Sequence, residues 1–384
     1  MQPSAPFAVW RLAGSGVAAV VGFALLIPYT AIRLEAMGHS AAAIGFFAAL
    51  PWLAVLAVAP FVARLARIWG GPALYVRSAL VSAPVPLVFA VSDDYAIWCA
   101  ANLAIGVAAA LRWIVSESWV VELVPAERRG RTIGLYETVL GFSFMIGPLI
   151  LGALDADATA PAAVAAVLWL VSWLFAIGIP APSARADDTR ARDVGFRIVL
   201  MAVPAAVIGA MIGGAFEVGL TGIGAYWVLG LGSSPAQAAV FAAALGAGSF
   251  AAQYPAGWLA DKYSLDKIVR RALAALIAVS LAAPWLVAGQ PGTLALAALW
   301  GAAGGMLYTL AMIRVAHGFS GPALLRATAS VVAGYTIGGA GGPALIGLAL
   351  EAAPRLGLPM ALAVLAGCAL AAHAALGRRR VPRP

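Results

Sequence analysis

Charge is scarce in this sequence: Asp, Glu, Lys and Arg together make up 10% of its 384 residues. A water-soluble domain carries about 25%, so this chain cannot fold with water on every side. Cysteine is nearly missing as well. Cys99 and Cys368 both sit in apolar runs, which excludes a disulfide framework and a cysteine metal site. His39, His317 and His373 form no pair at metal-ligand spacing. No Gly-x-x-x-x-Gly-Lys-Ser/Thr loop occurs, so the usual cradle for ATP phosphates is lacking. No His-Glu-x-x-His or Gly-x-Ser-x-Gly arrangement occurs either, and nothing points to an enzyme. The glycine run 338–342 lies in an apolar segment, where it serves helix packing and not nucleotide binding.

What the chain has in quantity is apolar side chains, 63% of the total. Twelve spans of ~20 residues would use ~240 positions, leaving short loops and no sizeable soluble domain. The pattern predicts spans near 8–31, 41–63, 72–91, 95–121, 132–153, 161–180, 198–229, 235–258, 269–288, 292–316, 327–350 and 358–377. Ser40 and Ser234 are placed to cap the second and eighth. The first span is too long for a signal peptide and lacks a cleavage site, so it reads as an anchor. The expected fold is an all-α membrane protein of 12 transmembrane helices in two pseudo-symmetric six-helix halves. Residues 1–180 form the first bundle, the polar stretch 181–197 a cytoplasmic linker, and 198–384 the second bundle.

An even number of spans puts both termini on one side. All but three of the 24 basic residues fall on that side, the exceptions being Arg33, Arg112 and Arg355. Glu35, Asp93, Asp94, Asp155, Asp157 and Glu351 crowd the other. The positive-inside bias therefore makes the termini cytoplasmic, in the inner membrane of a bacterial cell. The formal charge of +8 reports this topology and not nucleic-acid binding.

The halves also repeat. Arg131 leads through an apolar stretch to Gly147-Pro148, and Arg326 leads through another to Gly342-Pro343 at the same interval. Such duplication in a membrane protein marks a transporter candidate. The stretch Gly257-Trp258-Leu259-Ala260-Asp261-Lys262 resembles the cytoplasmic Gly-x-Leu-Ala-Asp-Arg loop of the major facilitator superfamily. Its first-half counterpart, Ala63 to Gly70, carries Arg67 in place of the Asp. Gly147-Pro148 resembles the fifth-span motif of antiporters in that superfamily, while Asn102, ahead of Gly106, replaces the fourth-span arginine. Ser116 to Trp119, Gln253 to Asp261 and Gly304 to Leu310 resemble a bacterial group typified by YcaD. The resemblance covers essentially the whole chain. It implies that Gly257, Asp261, Lys262, Arg131, Gly147, Pro148, Gly342 and Pro343 form a conformational latch.

An ionised side chain inside a bilayer costs a few kcal/mol or more, so each needs a reason. Arg112 lies ~15 Å from the cytoplasmic end of its span, with Ser116 and Trp119 on its face. The resemblance puts that span on a central cavity, where Arg112 would meet an anionic solute. The alternative is an ion pair with Glu117 or Glu137. Glu117 and Glu137 lie near the basic loop 128–131 and either bond to it or act, as further proton-coupling candidates, in a gate. Glu217 stands alone among Gly213, Gly214, Gly219, Gly222 and Gly224. A carboxylate in apolar surroundings favours its protonated form, which suits it to proton coupling. Asn102, Gln253, Tyr308, Thr309 and Met312 are further cavity candidates.

The resulting expectation is a secondary transporter that moves a small solute by alternating access. It would work alone as a monomer in the lipid bilayer, with no cofactor beyond an ion gradient, protons being the favoured ion. Export by antiport is the leading reading and uptake of a small organic anion by symport the second. A lipid-handling protein or a non-transporting receptor is a third of another class.

Overall fold

The computed structural model describes residues 5–154, 159–179, 203–285 and 291–376. The expected linker 181–197, Asp155, Asp157 and the arginines beyond 377 lie outside them. The described chain is helical, as lipid demands of backbone that has no water to bond. In order, the helices are α1 (Ala5–Ala36), α2 (Ala41–Trp69), α3 (Gly71–Ser82), α4 (Tyr95–Leu123), α5 (Arg129–Ala153) and α6 (Ala160–Ala176). They continue as α7 (Pro204–Gly230), α8 (Pro235–Lys262), α9 (Leu265–Ala282), α10 (Pro291–Gly318), α11 (Gly321–Ala352) and α12 (Gly357–Leu376). Among the described residues, nine spans are long and apolar enough to cross a membrane by length and composition. The other three crossings expected of a twelve-helix chain fall to α6, to α7 and to α8, an unbroken helix whose apolar run is diluted by Ser249, Gln253 and several glycines.

Local chemistry sets the ends. Ser40 accepts from the amide of Ala43, and Ser234 and Gln237 form a full capping box. Pro84 and Pro86 remove two amide donors, so the third span breaks after Ser82 into a 3-10 turn, Val85–Leu87, and a short helix, Val88–Val91. Pro284 ends the ninth span the same way. Two helices start earlier than hydropathy suggests. α5 begins at Arg129 and α11 at Gly321, so Arg131 and Arg326 ride on helix instead of loop, their long stems carrying the charge outward.

The described residues fall into two compact units. The first takes Met1–Val124, Val139–Arg192 and Ser320–Ala329; the second takes Pro125–Thr138, Asp193–Phe319 and Ser330–Pro384. Within the first, α1 packs on α6, α2 on α4, and α3 on both α4 and α6. Within the second, α7 packs on α12, α8 on α10, and α9 on both α10 and α12. Each pairing recurs six helices later, and the duplicated Gly-Pro motif follows it. A Cβ on Gly147 would strike Ala24 and Leu25 of α1, and one on Gly342 would strike Ala215 of α7.

Close approach at one glycine also explains Asn102. A Cβ on Gly106 would lie 2.5 Å from Cα of Pro51, so α4 touches α2 backbone there. Pro51 has no amide, which leaves the Phe47 carbonyl without its helical donor. Asn102 Nδ2, one turn before Gly106, donates to that carbonyl at 2.7 Å. The residue standing in place of the family's arginine thus repairs a proline defect in α2. Gly106→Val should lower stability by about 1–3 kcal/mol through overpacking, read as a drop in melting temperature of detergent-solubilised protein. Gly152→Ala, with nothing within 4 Å of the added methyl, should not.

Candidate functional site

One carboxylate of the second unit is organised by three helices. Glu217 projects from the middle of α7, and both its oxygens accept hydroxyl hydrogen bonds. Ser249 Oγ of α8 donates to Oε1 at 2.8 Å, and Tyr335 Oη of α11 donates to Oε2 at 2.7 Å. Ser249 can reach because α10 passes close beside it: a Cβ on Gly305 would collide with Ser249 Oγ. Tyr335 is itself held edge-on against Tyr308 of α10, with ring centroids 5.1 Å apart. Glu137, on the stretch of α5 that belongs to the same unit, is buried.

Gln253 lies one turn beyond Ser249 on α8 and is 4% exposed. Its Oε1 has no hydrogen-bond partner among the described residues, and neither has Oγ1 of the fully buried Thr309. Met312 is buried below them on α10. The structure therefore gathers Glu217, Gln253, Tyr308, Thr309 and Glu137 into one unit. Ser249 and Tyr335 escaped the sequence reading. The only available signal for Ser249 was its i,i+4 spacing from Gln253, and for Tyr335 its isolation in a helix of small residues.

Arg112 belongs to a different setting, in the first unit. Its guanidinium donates to Ser172 Oγ of α6 and lies 5.3 Å over the Tyr75 ring of α3. Ser15 Oγ completes the cluster, 2.9 Å from Tyr75 Oη and 3.0 Å from Ser172 Oγ. Among the described residues its partners are these, and not Glu117 or Glu137. Trp119 packs edge-on to the same Tyr75 at 5.9 Å. Ser116 turns its hydroxyl to the Trp113 carbonyl of its own helix at 3.0 Å. Glu117, 2% exposed, accepts from Trp113 Nε1 at 3.2 Å.

At the cytoplasmic end of α8, Asp261 meets the start of α5. Its carboxylate accepts from the amides of Gly130 (2.7 Å) and Arg131 (3.0 Å), with Arg131 Nε at 3.8 Å. These amides are among the four that open a helix without internal partners, and an anion there also meets the positive end of the helix dipole. Gly257 and Gly130 lie so close that a Cβ on either would strike backbone of the other. Two turns on, Thr138 Oγ1 donates to the Phe250 carbonyl at 3.0 Å and accepts from the Tyr254 amide at 3.1 Å. Lys262 places its ammonium 3.9 Å from the Trp258 ring centre. Nearby, Asp266 binds Arg314 and lies 3.4 Å from His373 Nε2, joining α9, α10 and α12.

The profile of the Major Facilitator Superfamily matches residues 12–291. The chain belongs to this superfamily. It is 26% identical over 275 residues to the uncharacterized MFS-type transporter YfkF of Bacillus subtilis, covering 69% of this chain and 70% of that one. It is 24% identical over 254 residues to the uncharacterized MFS-type transporter YcaD of Escherichia coli, covering 66% and 65%. In fold it resembles the human organic anion transporter MFSD10, with a TM-score of 0.79 at 16% identity over 97% of this chain and 100% of that one. It also resembles the E. coli fucose:proton symporter FucP, at 0.75 and 13% over 97% and 98%. The superfamily chain is thus a multi-pass membrane transporter of the YcaD-like group, working on a small molecule by secondary transport.

Removing the α5 cap has a defined consequence. Asp261→Ala should cost about 0.5–2 kcal/mol, measured as a lower melting temperature in detergent. Asp261→Asn, which keeps one acceptor oxygen, should recover part of it.

Proposed function

We propose that this chain exports a small solute in exchange for protons, with Glu217 as the group that carries the proton. The reading is carried by the hydroxyl pair on its carboxylate. An ionised carboxylate accepts from both Ser249 and Tyr335. Once protonated, one of its oxygens becomes a donor, and the hydroxyl facing it must turn to accept or be left unpaired in a low-dielectric site, at a cost of about 1–3 kcal/mol. Proton loading at Glu217 therefore alters how α7 is tied to α8 and α11. That is the coupling an alternating-access carrier needs, since a proton can only bias states it binds differently.

The direction rests on the fifth-span Gly147-Pro148, which resembles that of antiporters and sits hard against α1. The uptake reading leans on Arg112, whose partners are the neutral Ser172 and the Tyr75 ring within its own bundle, a setting that serves packing as readily as anion binding. Cytoplasmic termini in a bacterial inner membrane are supported by where the basic residues sit. Arg64 and Arg67 close α2, Arg129 and Arg131 open α5, Lys262 closes α8, and Arg326 lies near the start of α11. Moving these basic residues to the opposite loops should invert the topology.

Proteoliposomes loaded with a pH-sensitive dye test the coupling. Solute added under an imposed pH gradient should drive proton movement through the native chain. Glu217→Gln should reduce it at least tenfold and flatten its dependence on pH. An unchanged rate and pH profile would remove Glu217 from the mechanism.

A further inference from the structure

We propose that the start of α9 holds an anionic phospholipid, its phosphate against Lys267 and Arg271 and an acyl chain along the alanine face below them. The proposal concerns the outer wall of the second unit and stands apart from the reading of Glu217. Four bases, Lys262, Lys267, Arg270 and Arg271, mark the turn from α8 into α9, and all four are exposed. The acid among them, Asp266, is bound by Arg314 and faces His373. The side chains of Lys267 and Arg271 have no ion-pair or hydrogen-bond partner among the described residues. The patch therefore carries positive charge that the described chain does not offset.

The helix does not offset it either. A cation in the first turn of a helix opposes the helix dipole, and Lys267 stands in the first turn of α9. Arg67, by contrast, stands in the last turn of α2, where the dipole favours a cation. Membrane sidedness asks only that bases lie on one side of the bilayer; it does not ask for them at the unfavourable end of a helix. A negative ligand turns that placement from a cost into a gain.

Helix geometry sets what the patch faces. At 3.6 residues per turn, Lys267, Arg271, Ala274, Ala278 and Leu281 fall within about 40° of one line along α9. All five are exposed, whereas Ile268, Val269, Ala272, Leu273 and Leu276, around the other side, are buried. The line runs ~21 Å from Lys267 to Leu281, much of the thickness of a hydrocarbon core. Exposed aromatic residues bracket it, Tyr263 at the basic end and Trp285 at the other, as they do at the two interfaces of a spanning helix. The bases thus top a strip that meets acyl chains, at the depth of the headgroups. Ala274 and Ala278 carry nothing beyond Cβ, so a chain can lie close against the helix there. A lipid phosphate brings the charge the bases lack, and the Arg271 guanidinium can hold two of its oxygens at once.

The test uses the purified full chain in neutral detergent, with bound lipid counted by native mass spectrometry and stability followed by thermal shift. Dioleoyl phosphatidylglycerol is the anionic probe, and dioleoyl phosphatidylcholine has the same chains but a neutral headgroup. Glycerol 3-phosphate supplies the anion without chains. Phosphatidylglycerol should bind about tenfold more tightly than phosphatidylcholine, and glycerol 3-phosphate should not bind. The preference should shrink about threefold between about 50 and about 500 mM salt. Lys267→Gln with Arg271→Gln should remove most of it, while Lys267→Arg with Arg271→Lys should keep it. Arg64→Gln with Arg67→Gln, an equal loss of charge at the end of α2, should leave it unchanged. The lipid and salt series on the native chain stand if a variant fails to fold. Equal binding of the two lipids, glycerol 3-phosphate binding as well as phosphatidylglycerol, or equal losses from the two neutralised pairs would each overturn the proposal.

Discussion

Hydrocarbon offers no hydrogen bonds, and this one deprivation arranges the molecule. Every amide of a spanning segment must be satisfied inside its own helix or by a side chain, and every charge must find polar company within the bundle. The chain answers with hydroxyls more than with counter-charges. Arg112 is solvated by a Ser15–Tyr75–Ser172 cluster and a ring face, and Glu217 by Ser249 and Tyr335. A hydroxyl can donate or accept by turning about one bond. Partners of that kind tolerate a change in protonation that a fixed ion pair would resist.

The same deprivation explains why glycine and proline are placed as they are. Helices of small residues approach until backbone meets backbone, as α4 meets α2 at Gly106 and α5 meets α8 at Gly130. Prolines inside such helices strand carbonyls, and a neighbouring side chain must serve them. Asn102 does so for Phe47. Packing and polar repair are therefore one problem here, solved by the same helix contacts.

The architecture was largely legible in the sequence because its signals are local. Hydropathy gave the spans, the distribution of Arg and Lys gave a sidedness, and the paired Arg…Gly-Pro stretches gave the duplication that the helix pairings reproduce. Serine caps at 40 and 234 were readable for the same reason. Span ends were less so where charged first turns extend a helix past its apolar run, as at Arg129 and Gly321, or where Pro84 cuts one short. The site was half legible. Glu217 stood out because a lone acid among glycines in an apolar helix is conspicuous, whereas Ser249 and Tyr335 come from helices 32 and 118 residues away in sequence. Arg112 shows the limit most clearly: its depth and its shared face with Trp119 could be counted off, but which neighbouring helix that face meets could not.

The Thr138 hydroxyl sits between the Phe250 carbonyl and the Tyr254 amide, two groups that form a natural i,i+4 couple within α8. Should the start of α5 withdraw, those two groups already stand opposite one another, and neither is orphaned in oil. Thr138 would leave with its own helix carbonyls in reach, as serines and threonines commonly bond one turn back. Parting the two strips of helix thus carries almost no desolvation debt at this point, so the joint is built to be reversible rather than merely tight.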